Sequence, residues 1–248
     1  MGALKREEGR PWRPQLTQRE SRMGMVFFVL YLTTFPLVVG GVVRVLDEHM
    51  ELWLTTAQTN AVYYTLVLLA LMAVFWEFLR HALTILKGNL LASLFAFGAG
   101  FFIALGATCL LGLIPLPVTN QEIENYKTQF FLSPAATWAV AGLLKPVVEE
   151  ILYRGLLFGT LRRESRMWAY VLSAGLFALS NLWQHALFSG NPAYLLLIIQ
   201  YLPLGLVLCW SYDISGSVYT PMALRVALQT MFLIFAAMTP GAVPPMGA

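Results

Sequence analysis

Between Met25 and Met238 the sequence is a succession of apolar runs, each about as long as a bilayer is thick, joined by short polar connections. A span needs about 20 apolar residues. Backbone in lipid must satisfy its own hydrogen bonds, so such runs are helices. They fall at roughly Met25 to Val43, Ala61 to Leu79, Leu90 to Ile114, Ala135 to Leu161, Met167 to Phe188, Ala193 to Tyr212 and Val218 to Met238, with Pro115, Pro117 and the polar "TNQEIENYKTQ" reading as an external loop with an interfacial turn. The expected fold class is therefore all-α: a polytopic transmembrane helical bundle of about seven spans. Composition agrees, because only 12% of the residues are charged, against ~25% in soluble domains.

The basic residues give the orientation. Residues 1–22 carry Lys5, Arg6, Arg10, Arg13, Arg19 and Arg22, with Pro11 and Pro14 discouraging a helix. This segment reads as a basic cytoplasmic tail lying near anionic lipid. Two further basic connections, Arg80 to Lys87 and Arg162 to Arg166, alternate with the acidic Asp47, Glu48 and Glu51 and the uncharged "SGNP". The positive-inside rule places the N-terminus and both basic connections in the cytoplasm. The expected location is a bacterial plasma membrane, with 23–240 as the membrane domain and 241–248 as a short tail. The net charge of +3 is spent on topology, so lipid is an expected partner and nucleic acid is not. Cys109 and Cys209 lie in apolar runs and read as buried core residues, with no disulfide or zinc spacing. No metal or other cofactor is expected.

Against this background the segment "KPVVEEILYRG", Lys145 to Gly155, is anomalous. Charged groups in spans are rare and face a bundle interior or a wet cavity. Lys145 and Glu149 are four residues apart, as are Glu150 and Arg154, so each pair meets on one helix face. The two glutamates point about 100° apart and serve different roles. Pro146 removes a helical donor just ahead of them. Other helices bring polar groups to the same level. At 1.5 Å per residue, Glu149 lies about 20 Å from Arg162, Asn181 about 21 Å from Met167 and Gln229 about 20 Å from Gly216, with Arg225 one turn shallower. That convergence predicts one polar site. His185, one turn beyond Asn181, reads as a polar residue near the external boundary. Trp183 and Gln184 read as interfacial or packing residues, and His49 and His81 as solvated.

At these residues the chain resembles the CAAX-protease and bacteriocin-processing intramembrane proteases (CPBP or ABI family), related to the type II prenyl-protein endopeptidase. Its E-E-x-x-x-R motif stands here as Glu149, Glu150 and Arg154, flanked by Pro146 and Gly155. In its F-x-x-x-H motif Phe177 is present, but Asn181 holds the histidine position. Its last motif, H-x-x-x-N after a G-S-x-x-x-P turn, keeps the turn as Gly216 to Pro221 and holds Arg225 and Gln229 at the polar positions. The family-like core spans 134–235. The resemblance implies Glu149 as general base, Glu150 and Arg154 as its structural partners, and Asn181, Arg225 and Gln229 in the places of the water-activating and oxyanion-binding groups. Asn181 orients a water but takes no proton.

Two functions follow. One is a glutamic-type intramembrane endopeptidase acting on a membrane-associated peptide or protein, with water activated by Glu149. The other is a catalytically impaired relative acting as a binding, scaffold or immunity-type protein, in which the charges join helices. A transporter is a third class, without the internal repeats that would support it.

Overall fold

A computed structural model describes residues 15–35, 38, 41 and 55–238 of the chain. Pro36, the acidic connection, His49, residues 1–14 of the basic tail and the tail at 241–248 lie outside the described residues. Helix α1, Gln18–Leu32, starts within the segment read as tail. Its start is fixed by a capping box: the Thr17 hydroxyl accepts from the Glu20 amide at 3.2 Å and Glu20 accepts from the Thr17 amide at 2.9 Å. Glu20 is buried and also accepts from the Phe78 amide at 2.8 Å. That bond satisfies one of the partnerless amides at the start of α3.

Helix α2, Thr56–Val74, ends at Phe75, and α3, Trp76–Gly88, begins at once. The run expected as one span to Leu79 is thus two helices. The expected basic connection Arg80 to Lys87 is helical, burying Phe78, Leu79 and Ala82 while Arg80, His81 and Lys87 stay exposed. Helix α4 is Leu90–Gly112 and α5 is Gln121–Leu132. The next helix, α6, runs continuously over 134–161. Helix α7, Arg166–Ser180, stops at Asn181, and a short α8, Trp183–Phe188, follows. The run expected as one helix to Phe188 is broken because both the Ser180 hydroxyl and the Asn181 amide donate to the Phe177 carbonyl, each at 2.8 Å. Such side-chain bonds compete with the backbone ladder. Helix α9 spans Pro192–Ser215, its first six residues in a tighter 3₁₀ turn. Gly216, at φ 72°, ends α9 in the left-handed conformation that glycine adopts without strain. Helix α10 is Tyr219–Met238.

Among the described residues, α2, α4, α9 and most of α10 are long and apolar enough to cross a membrane. Helix α4 exposes Leu91, Phe102, Leu110 and Leu113, a surface that suits lipid and not water. Cys209 is buried, as expected, but Cys109 is exposed, because it lies on this outward face of α4. The chain is an all-α integral membrane bundle. Helix α6 runs through its middle, packed against α2, α7 and α10, while α4 lies against α9 and α10.

Hydrogen bonds tie the helix termini into two ends. At one, Gln15 Nε2 donates to the Gly216 carbonyl at 2.7 Å, Asn89 Nδ2 to Ser215 at 3.1 Å and the Ser217 hydroxyl to Ala82 at 2.9 Å. There too, Arg162 and Arg166 reach the buried Asp213 at 3.0 and 2.9 Å. This end collects the described basic connections. At the other end Asn120, ahead of α5, donates to the Tyr201 hydroxyl of α9 at 2.9 Å.

The close approach of α4 to its neighbours depends on Gly100. A Cβ there would stand 2.8 Å from Leu224 Cδ2 and 3.5 Å from Val207 Cγ1, whereas one at Gly98 meets nothing within 4 Å. Gly100→Val is expected to destabilise the bundle by roughly 1–3 kcal/mol through overpacking, and Gly98→Val by much less. Thermal unfolding of both variants in detergent checks this, and equal losses would refute it.

Candidate functional site

The site is built on the irregular middle of α6. Two π-helical stretches, Trp138–Leu144 and Ile151–Phe158, flank the α-helical Lys145–Glu150. Pro146 has no amide to give the carbonyl four residues back. The chain widens ahead of it, and the Lys145 amide bonds five residues back to Val140. Such wide turns are frequent at functional sites. They present the two glutamates to different surroundings.

Glu150 faces the core. It and Arg154 are fully buried and joined at 3.1 Å. Arg154 also donates to the Gly205 carbonyl at 3.1 Å, and its guanidinium lies 4.5 Å from the Phe177 ring centre. The pairing expected from the four-residue spacing is present. It locks α6 to α7 and α9.

Glu149 faces a cavity, yet its carboxylate is already engaged. Arg225 Nη2 donates to Glu149 Oε2 at 2.6 Å, with Glu149 3% and Arg225 9% exposed in their side chains. Lys145 Nζ lies 3.7 Å from Glu149 Oε1. Arg225 also rests 4.5 Å from the Phe177 ring centre, so this one aromatic ring carries both buried guanidiniums. Lys145 holds Asn181 as well, donating to its Oδ1 at 3.3 Å. Glu149 and Asn181, expected at one depth, thus meet through Lys145, whereas the partner that α10 supplies is Arg225, expected one turn shallower, and not Gln229. Gln229 is half-buried on α10, and no hydrogen bond joins it to the other five predicted residues among the described contacts. The side chain of His185 lies outside the described residues.

Four further residues were not foreseen. The polar stretch after α4, expected as a loop with an interfacial turn, is helix α5, capped by Asn120 through bonds to the amides of Glu122 and Ile123 at 3.2 and 3.5 Å. It leans over the cavity and delivers Glu122 to Lys145, with which it forms a short ion pair. Tyr126 donates to Glu122 Oε1 at 3.2 Å and Tyr201 donates to Oε2 at 2.7 Å. The sequence signal was available: an Asn cap, acids in the first turn, and Glu122 and Tyr126 four apart.

The cavity holds about 440 Å³ and is bordered by Glu149, Lys145, Asn181 and Glu122. Tyr31, Tyr63 and Tyr64 and the carboxamides of Asn60, Asn125, Gln129 and Gln184 complete it. Trp183 and Gln184, read as interfacial or packing residues, are on its wall. Arg225 is not. Among the described residues no three His, Cys, Asp or Glu side chains gather as metal ligands would.

Residues 131–231 match the family described as Type II CAAX prenyl endopeptidase Rce1-like. The match covers 101 of the 248 residues, and it is this segment that is similar to the family. The chain matches no curated protein and no solved structure. The resemblance read from Glu149, Glu150, Arg154 and the Gly216 turn therefore holds. The matched segment contains every residue of the Glu149 cluster except Glu122 and Tyr126, which α5 adds from outside it.

The ion pairs yield two predictions. Arg154→Met leaves Glu150 charged and unpaired in the core, at a cost of about 3–5 kcal/mol. Adding Glu150→Gln is expected to recover most of that loss, and a double-mutant cycle of unfolding in detergent measures it. Burial opposes ionisation of Glu122, but the Lys145 charge and hydrogen bond and the Tyr201 hydroxyl outweigh it and lower its pKa from 4.5 to about 2. A depressed carboxylate stabilises the fold above the unfolded pKa. The contribution of Glu122 is therefore complete above about pH 4.5 and disappears between there and about pH 2. Unfolding followed from pH 6 to pH 3 is expected to show a steeper loss for the native chain than for Glu122→Gln.

Proposed function

We propose that the Rce1-like segment keeps the architecture of a membrane endopeptidase but does not hydrolyse peptide bonds. It serves as a membrane-embedded binding protein whose chamber receives a segment of a membrane-associated peptide or protein. The observation that carries this is the buried 2.6 Å pair between Arg225 and Glu149. A general base must reach the proton that it abstracts and must be basic enough to hold it. Here a fixed guanidinium occupies one oxygen and an ammonium stands near the other, so the carboxylate is engaged by the protein's own cations and not by a water. Asn181 has no basic atom to replace it. Arg225, turned onto Glu149 and away from the chamber, does not donate to an oxyanion there.

The chamber remains suited to binding. Its carboxamides and phenols offer donors and acceptors in water-accessible positions, as an extended main chain requires. On the positive-inside rule the basic end faces the cytoplasm and the chamber mouth the opposite side.

A second reading, the glutamic endopeptidase, is favoured by one observation: Glu149 borders the cavity, which leaves a path for water to its Oε1. The two readings separate in one experiment. The native protein in detergent, offered a peptide library, is expected to show no cleavage. The triple variant Asn181→His, Arg225→His and Gln229→Asn restores the residue types of the family motifs and is expected to gain hydrolysis. The restored acid–base partner alone would contribute roughly 10²–10⁴-fold. Native cleavage that vanishes in Glu149→Gln would overturn the binding reading in favour of the enzyme.

A further inference from the structure

The two walls of the Glu149 chamber differ in one respect: the polar groups of one are engaged, and those of the other are open. On the wall formed by α5, α6 and α7, Lys145 donates to Glu122, to Asn181 Oδ1 at 3.3 Å and to the Tyr126 hydroxyl at 3.4 Å. An ammonium has three hydrogens, so none is left for an occupant. Both oxygens of Glu122 are taken, Oε1 by Lys145 and Tyr126 and Oε2 by Tyr201. Asn181 is held through its oxygen and its nitrogen. On the facing wall α2 carries Thr56, Asn60, Tyr63 and Tyr64 along one face. Among the described contacts no hydrogen bond reaches the side chains of Thr56, Asn60 or Tyr63.

One charged atom of the engaged wall is the exception. Glu149 is 3% exposed in its side chain, and Arg225, which is not on the chamber wall, holds its Oε2. Its Oε1 has only Lys145 near it, at 3.7 Å, beyond hydrogen-bond length. Unlike the partnerless Glu150 Oε2, this oxygen is not sealed from solvent. Glu149 borders the cavity, so Oε1 opens into it, and Tyr31 and Tyr64 of the facing wall lie within electrostatic reach.

The open atom is a negatively charged acceptor, so it selects a donor. A carboxylate in the chamber would meet Glu149 Oε1 and find no cation with a hydrogen left for it. A protonated amine meets the reverse. The wall presents two carboxylates, Glu122 and Glu149, against one ammonium, Lys145, and the phenol and carboxamide oxygens of α2 accept the remaining hydrogens of an amine. We propose that the chamber, taken as the peptide-binding site proposed above, captures a free amino group on Glu149 Oε1, the chemistry shared by the amino terminus of a polypeptide and by a lysine side chain. A chain held by its amino terminus runs out along α2 past Tyr63, Asn60 and Thr56. From Tyr64 to Thr56 is eight residues of helix, about 12 Å, the length of three or four extended residues.

The test measures binding of neutral alanine–serine hexapeptides, carrying an uncharged dye on a C-terminal amide, to the full chain in detergent by fluorescence polarisation. The peptide with a free amino terminus is expected to bind roughly 10- to 100-fold more tightly than its acetylated form, the worth of one hydrogen bond to a charged group. An acetylated peptide with one internal lysine separates the two sources. Binding equal to that of the free-amino peptide assigns any primary ammonium to the site, and binding equal to that of the acetylated peptide assigns the amino terminus alone. Glu149→Gln by itself would strand the buried Arg225, so it is combined with Arg225→Gln; in that double variant the free-amino and acetylated peptides are expected to bind alike. Asn60→Leu is expected to weaken both peptides roughly two- to tenfold and to keep the difference between them. Equal binding of the two peptides to the native chain, or a preference that survives in the double variant, would overturn the amine site and leave peptide binding standing. Failure of every peptide to bind would instead overturn the peptide-binding reading, and the amine site with it.

Discussion

A charge carried into the middle of a membrane bundle must find its opposite there, and the chain arranges its central helices around that demand. Helix α6 brings Lys145, Glu149, Glu150 and Arg154 within three turns. Glu150 and Arg154 settle each other inside the same helix. Glu149 cannot be settled so closely, because its four-residue partner stands 3.7 Å away and is shared. The remaining bonds come from elsewhere, from Arg225 on α10 and through Lys145 from Glu122 on α5. These pairs add little net stability, since the desolvation of each ion offsets much of the attraction. What they impose is register. Helices α5, α6 and α10 can slide past one another only by stranding a charge.

The ring of Phe177 extends the same logic to α7. A guanidinium is weakly hydrated and planar, so it stacks on an aromatic face where an ammonium would be left dehydrated. Arg154 and Arg225 both use this ring, each at 4.5 Å. The phenylalanine of the second motif is therefore the common surface on which the fully buried pair and the Glu149 pair meet. Ser180 and Asn181 then draw on the carbonyl of the same residue and end α7 there. That places Asn181 at a helix terminus beside the cavity, its amide nitrogen held by the Phe177 carbonyl and its oxygen by Lys145.

Most of the helices and the approach of Asn181 to Glu149 were legible in the sequence because both rest on simple regularities, apolar length and rise per residue; the same rise put Gln229 level with Glu149, yet the longer Arg225 side chain, one turn away, is the one that reaches it. What escaped depends on irregularity. Phe75 breaks α2 from α3, and no proline or glycine marks the place. The π-helical turn ahead of Lys145 follows from Pro146, which has no amide for the carbonyl four residues back, but the second, over Ile151–Phe158, has no proline or other local mark in the sequence. Helix α5 was read as a loop because its apolar residues are few. Its stability comes from Asn120, Glu122 and Tyr126 bonding to α6 and α9, partners some twenty to eighty residues away. The partner of Lys145 was foreseen within its own helix, whereas the closer one is Glu122, on a helix that no local pattern ties to it.

Read as electrostatics, the departures from the family motifs form a set. Glu122 and Glu149 are balanced by Lys145 and Arg225, so the cluster is neutral as a whole and each member has a partner. A histidine at 225 would be neutral for much of the physiological range, and Glu149 would then hold only the distant, divided attraction of Lys145. One of its oxygens would be open to a water, which is what general-base chemistry asks of it. A permanent cation at 225 does the reverse: it occupies that oxygen in a buried ion pair. In this light the asparagine at 181 and the arginine at 225 are not independent losses. Once Arg225 holds the carboxylate, a base at 181 has no activated partner to work with, and an amide that accepts from Lys145 completes the network at lower cost than an imidazole whose protonation would add a third cation to it.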